Sequence, residues 1–243
     1  MKKDMVITCR EDKAGNTYFI VSYDDERGMN FVKYLSYTQL LELLSNSYVE
    51  EKTYMSLGRI ADGYIDSTIC TDGSGSVRLY VPASPRVILL NIPKRKLPRA
   101  FQIPMPPMLF QIRFGGQRFG GKCCIVTGSY EETVDQYYGG KLIGYQYPFG
   151  NVSDSAEICM GNISYDIQAI IDAPKYVDAF FDGITSEHYM GTSRVKSGKH
   201  QMELLGFLEK CEVFPYEELV ELPEKENDAL CCPHSMQPHY KIR

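Results

Sequence analysis

A chain of 243 residues, 44% hydrophobic and 23% charged, is long enough for one large core or two modest ones and has an ordinary globular composition. Its net charge of −5 argues against a nucleic-acid surface, which needs a basic excess, and no apolar run approaches the ~20 residues of a membrane span. The eight cysteines follow an N-terminus with no signal-like apolar segment. A reduced cytoplasm is therefore expected, where thiols pack, react or bind metal.

The first elements are β. Met5–Thr8 and Tyr18–Tyr23 alternate in polarity around the turn Lys13-Ala-Gly-Asn16, which predicts a hairpin. Ser36-Tyr-Thr-Gln39 has capping-box spacing ahead of Leu40, Leu41, Leu43 and Leu44, so a short helix is expected over 37–46. Strands are predicted at Tyr64–Cys70 and Val77–Val81, followed by the apolar run Val87–Ile92 and a basic loop, Pro93–Arg99. Four cations in one loop are usually a solvated face, at most a docking surface for an acidic protein. Prolines then force an extended approach to the strand Met108–Phe114, and Lys122–Thr127 makes another.

Between those two strands Gly116-Gln-Arg-Phe-Gly-Gly-Lys122 has the spacing of a phosphate-binding loop. Cys123 stands where a magnesium-binding Ser or Thr belongs, and the residues that follow favour a strand rather than a helix. A hairpin turn without nucleotide is expected. Tyr130–Gly140 is polar and tyrosine-rich. Further on, Asp172 and Pro174 open a helix with Tyr176, Val177, Phe180 and Phe181 on one side, ended by Gly183. Gly191–Gly198 is a polar loop, and a last helix is predicted over 199–210. From Pro223 the chain turns charged and ends in Cys231-Cys-Pro-His-Ser-Met-Gln-Pro-His239. Adjacent cysteines lack zinc-ligand spacing, so no metal is expected there.

The centre is Tyr147-Pro-Phe-Gly-Asn-Val-Ser-Asp-Ser-Ala-Glu-Ile-Cys-Met-Gly-Asn162. Pro148 and Gly150 rule out a helix, so the stretch is a shaped loop carrying Asn151 and, eight residues on, Cys159. A thiol and an amide on one folded-back loop can supply a nucleophile and an oxyanion donor for acyl transfer. A buried structural cysteine beside a turn asparagine has the same spacing.

This stretch resembles the active-site segment of ubiquitin-conjugating enzymes, whose His-Pro-Asn tripeptide puts its Asn eight residues before the catalytic cysteine. Phe149-Gly150-Asn151 fills the tripeptide position here. The nearer resemblance is to the prokaryotic family D of conjugating-enzyme-like proteins, which includes protein B of the PRTRC plasmid and phage systems. Pro148-Phe-Gly-Asn-Val152, Cys159-Met-Gly-Asn162 and Phe180-Phe-Asp-Gly-Ile-Thr185 carry it, with His188 as a shifted counterpart of a later family histidine.

The resemblance implies an α+β fold with a conjugating-enzyme-like, mostly antiparallel central sheet of about four strands and flanking helices. The expected layout is an N-terminal β/α portion (1–76), the conjugating-enzyme-like domain (77–215) and a charged C-terminal tail (216–243). It also implies an enzyme that takes a ubiquitin-like protein's C-terminus from a ThiF-like activating enzyme as a thioester on Cys159 and passes it to an amine of a protein substrate. Asn151 and His188 are its other expected catalytic residues, a JAB-type peptidase is a further partner, and no cofactor is implied. The alternative is an inactive docking module of a plasmid or phage system, with Cys159 merely packed.

Overall fold

The computed structural model describes residues 6–11, 17–24, 30–36, 39, 54–70, 74–115, 120–161, 163, 170–186 and 194–233. The chain divides into two compact units, Met1–Thr53 and Tyr54–Arg243. In the first unit β1 (Val6–Glu11), β2 (Thr17–Asp24) and β3 (Asn30–Leu35) form an antiparallel meander. The expected hairpin is β1–β2, closing with Glu11 opposite Thr17, and β3 extends it by a strand. Ser36 and Gln39 exchange the two bonds of a capping box: Gln39 N–H donates to Ser36 Oγ (3.2 Å) and Ser36 N–H to Gln39 Oε1 (3.0 Å). The rest of the helix expected over 37–46 lies outside the described residues.

The second unit is a mixed α+β body with four described helices and mostly antiparallel sheets. A five-stranded antiparallel sheet has the order β10-β9-β6-β5-β4, from β4 (Tyr54–Ser56), β5 (Tyr64–Cys70), β6 (Gly75–Val81), β9 (Met108–Phe114) and β10 (Gly120–Ile125). A smaller sheet has the order β11-β7-β8, where β7 (Ser84–Leu90) and β8 (Arg99–Met105) are antiparallel and β11 (Ile184–Thr185) runs parallel to β7. The strands are thus spread over two sheets rather than one sheet of four. Residue 76, the expected end of the N-terminal portion, falls inside β6, and β5 on its far side pairs with β6 in the same sheet.

Period-two alternation buries both faces of the large sheet. Val77, Leu79, Met108, Phe110, Ile112, Cys123 and Ile125 face one core, shared with the small sheet, α2 (Ala173–Asp182) and α3 (Gln201–Leu208). Leu109, Cys124 and Val126 point the other way, into a core completed by Tyr137 of α1 (Tyr130–Tyr138) and Leu230 and Cys231 of α4 (Glu224–Cys231). Pro85 lies opposite Pro104 near the end of the β7–β8 ladder. Neither residue has an amide hydrogen to give the ladder, a loss that strand ends and edge strands tolerate.

Three segments differ from the sequence reading. Tyr130–Tyr138 is a helix started by a full capping box, Ser129 with Glu132. Residues 216–231, expected in a charged tail, bury Leu219, Leu222, Leu230 and Cys231, and α4 closes the second core. Asp172 does precede α2, but its side chain makes no cap bond and pairs instead with Lys175 (2.8 Å). No described helix is long and apolar enough to cross a membrane.

Candidate functional site

The stretch from Tyr147 to Gly161 folds back as a miniature hairpin on the outer edge of β10. Val152 and Ile158 form an antiparallel bridge. Ser153 N–H donates to Glu157 O (2.9 Å), and Cys159 N–H donates to Asn151 O (2.7 Å). Asn151 and Cys159, eight residues apart, are therefore held directly opposite each other, as a folded-back loop requires. Asn151 has φ +67°, and Ala156 in the turn has φ +62°. Asparagine adopts this left-handed region readily; alanine there costs about 1–2 kcal/mol. Bonds on either side fix Ala156: its N–H donates to Ser153 O, and Cys123 N–H donates to its carbonyl, both at 3.0 Å.

Three sets of contacts anchor the hairpin. Towards β10, Ile158 N–H donates to Gly121 O (2.8 Å) and Lys122 Nζ donates to Ser155 O (3.2 Å). Lys122 also lies 3.4 Å from Glu157, which meets Arg113 at 2.6 Å. The lysine of the phosphate-loop-like stretch is thus engaged with the cysteine loop, and antiparallel strands flank that stretch on both sides. Residues 116–119 within it lie outside the described residues. At the base, Gly150 N–H donates to Gln201 Oε1 (3.1 Å), and a Cβ on Gly150 would collide with the Ser186 carbonyl. Glycine here, in the position of the resembled family's proline, supplies both the amide hydrogen and the room. Phe149, in the position of that family's histidine, is fully buried and packs edge-on against Tyr147.

At the tip the anchor is Arg194, 3% exposed. Its Nη1 donates to Val152 O (2.6 Å) and reaches Tyr147 O and Phe149 O, each at 3.4 Å. Nη2 and Nε donate to Asp154 Oδ1 at 2.8 and 3.2 Å.

The Asn151 side chain links the hairpin to the chain after α2. Its Nδ2 donates to Ile184 O (2.9 Å), and its Oδ1 accepts from Ser186 N–H (3.1 Å) and Ser186 Oγ–H (3.4 Å). That uses the oxygen and one of the two amide hydrogens. The parallel pairing of β11 with β7 puts Ile184 there, and Asn91 N–H donates to Thr185 O (2.9 Å) just beyond β7.

The result is a cleft of about 540 Å³ whose lining includes Cys159, Met160, Asn151, Asn91, Asp182 and Ser186. Half-buried Cys159 is the thiol in that lining, and Asp182 is the carboxylate. Elsewhere Cys123, Cys124 and Cys231 are buried, Cys9 is exposed in the first unit, and Cys211 and Cys232 are half-buried away from the cleft. Burial pushes the Cys123 thiol well above its ordinary pKa, and burial together with the Cys231 thiol (Sγ–Sγ 3.8 Å) does the same for Cys124. Both thiols are fully buried, out of reach of an incoming acyl group.

Of the residues expected at the site, Cys159 and Asn151 are brought together, and His188 lies outside the described residues. Asp182, Asn91, Ser186, Gln201 and Arg194 were not anticipated in these places. Asp182 lies within the Phe180–Thr185 motif, so the motif marked its position without revealing its direction. Arg194 and Gln201 grip the loop's backbone from much later in the chain, and no local pattern announces them. Among the described residues no three His, Cys, Asp or Glu side chains gather as a metal site.

A family model described as prokaryotic E2 family D matches residues 44–222. No curated protein and no solved structure matches the chain.

Proposed function

The chain belongs to prokaryotic E2 family D, and from that premise we propose that it is a conjugating enzyme carrying a ubiquitin-like protein as a thioester on Cys159. The observation behind this reading is that Cys159 is half-buried, held opposite Asn151, and lines an open cleft where a peptide tail can reach it. A docking module with a packed thiol needs no such cleft.

In the first step the Cys159 thiol gives its proton to solvent, and the thiolate attacks the carbonyl carbon of the thioester that a ThiF-like activating enzyme carries. The new C–S bond forms, and the activating enzyme's sulfur leaves as the thiolate. In the second step an amine attacks the same carbon, the C–S bond to Cys159 breaks, and the amine gives up its proton. Asp182, at the cleft rim, is the group for that amine. It attracts a lysine ammonium, which becomes nucleophilic only after losing one proton to solvent, and it accepts the second proton as the neutral amine bonds to the carbonyl carbon. The remaining amide hydrogen of Asn151 is the donor for the carbonyl oxygen as charge builds on it, a contribution of about 2.7–4 kcal/mol for one such donor. A target protein and a JAB-type peptidase complete the proposed set of partners.

The test is incubation with the cognate activating enzyme, ubiquitin-like protein and ATP, followed by non-reducing electrophoresis. Wild type is expected to form a reductant-sensitive adduct. Cys159→Ser should give a reductant-resistant oxyester, since an alkoxide leaves less readily than a thiolate, and Cys159→Ala should give no adduct. An adduct on Cys159→Ala that reductant removes would move the acceptor role to another cysteine and end this reading.

A further inference from the structure

We propose that Arg194 is the positioning residue of the Cys159 loop: its buried guanidinium gathers the loop's carbonyls and so sets where the nucleophile lies. The inference rests on the conjugation reading for its kinetic consequence, but not for its structural one.

The argument begins with what a guanidinium can do. It is planar, keeps its charge, and presents several N–H groups in a fixed fork. Arg194 spends one arm on three backbone carbonyls of a single short stretch, those of Tyr147, Phe149 and Val152. Phe149 and Val152 flank Gly150 and Asn151. Asn151 in turn accepts the Cys159 amide hydrogen. Fixing the carbonyls on both sides of Asn151 therefore fixes the residue to which Cys159 is tied.

The charge balance supports a positioning role. The Arg194 side chain is 2% exposed, whereas its partner carboxylate on Asp154 is 84% exposed. A buried cation would otherwise be expensive, and here one exposed carboxylate and three carbonyl dipoles compensate it. The carbonyl contacts are what a lysine cannot reproduce: one ammonium cannot hold the three carbonyls with one arm and Asp154 with two others. Arg194 also stands directly before Val195, which bridges to Leu219, and a few residues before α3, whose Gln201 holds Gly150. One stretch of chain thus grips the loop at its base and at its tip.

The test uses Arg194→Lys and Asp154→Asn in the full chain, with two readouts. The first is independent of activity: hydrogen exchange at the Cys159 amide. In Arg194→Lys that exchange is expected to rise at least about tenfold, while the Ile112 amide in the core of β9 stays at its wild-type rate. The second is single-turnover charging. The saturating rate is expected to fall at least about tenfold with the half-saturating donor concentration within about twofold, the pattern of lost alignment rather than lost binding. Asp154→Asn is expected to move both readouts in the same direction by about threefold and to lower the melting temperature, because the buried Arg194 cation loses its counter-charge. It carries the test if Arg194→Lys does not fold.

Wild-type exchange at Cys159 in both variants would overturn the proposal, as would a lowered melting temperature with wild-type exchange and charging. If wild type itself forms no adduct, the conjugation reading fails, and the exchange measurement still decides the role of Arg194.

Discussion

Asp182 ends α2, a helix with no basic residue in its last turn. The carbonyl end of a helix disfavours a negative charge by about 0.3–1 kcal/mol. Asp182→Asn is therefore expected to stabilise the protein by about that amount while slowing discharge to lysine by about 10²-fold, with charging nearly unaffected. Thermal melts and single-turnover discharge measure the two sides, and unchanged discharge would remove Asp182 from the mechanism. Asn151 needs a variant without a Cβ, because its φ of +67° penalises a replacement such as alanine. Asn151→Gly keeps the backbone and loses only the amide. It is expected to cut discharge by about 10²–10³, the usual loss for one oxyanion donor, and to cut charging less. Equal losses in both steps would make the amide purely a holder of Ile184 and Ser186.

At the scale of elements, the hairpin of 151–159 leans on Lys122 of β10. Lys122→Ala is expected to loosen that support and slow charging severalfold, without altering any nucleotide affinity. Calorimetry should detect no saturable ATP binding to the wild-type chain; tight binding abolished by Lys122→Ala would reverse this. Helix α1 depends on its start, and Ser129→Ala is expected to cost about 1 kcal/mol in urea denaturation. These elements also show what could be read from residues alone. Prolines, glycines and the Asn–Cys spacing disclosed the loop because its shape is set by neighbours along the chain. Alternation disclosed the β1–β2 hairpin, and the proline-bearing approach disclosed β9. Helix α1 had a legible signal in Ser129-x-x-Glu132, obscured by three tyrosines and two glycines. Strand β8 was masked by its basic, proline-bearing sequence, whose Pro104 lies near the end of the ladder with β7. Helix α4 was illegible because only its last turn is buried, against residues more than a hundred positions away. Arg194 was illegible for the same reason: the loop it grips lies 40 or more residues back.

At the scale of the whole second unit, Arg78 ties the later chain to the sheet. Fully buried, it donates to the Leu230 and Ala229 carbonyls at the end of α4 (3.1 and 3.2 Å), lies 3.5 Å from Asp66, and stacks over Tyr137. Tyr137 Oη–H donates to the same Asp66 carboxylate (2.9 Å). Arg78→Ala would leave that buried carboxylate without its counter-charge, so a loss of about 3–5 kcal/mol in urea denaturation is expected; a loss near zero would show that α4 holds by apolar contact alone. The opposite margin of the sheet has a different guard. β10 is an edge strand, a template for pairing with other chains, and it is covered by the cysteine hairpin along Gly121–Cys123 and by Tyr145 at Ile125. The segment that carries the proposed nucleophile thus also covers the exposed edge of the sheet. Variants that unfasten it are expected to aggregate on storage as well as lose activity. The donor's tail is expected to enter through the cleft mouth, because opening the hairpin to admit it would bare a sticky strand in every cycle.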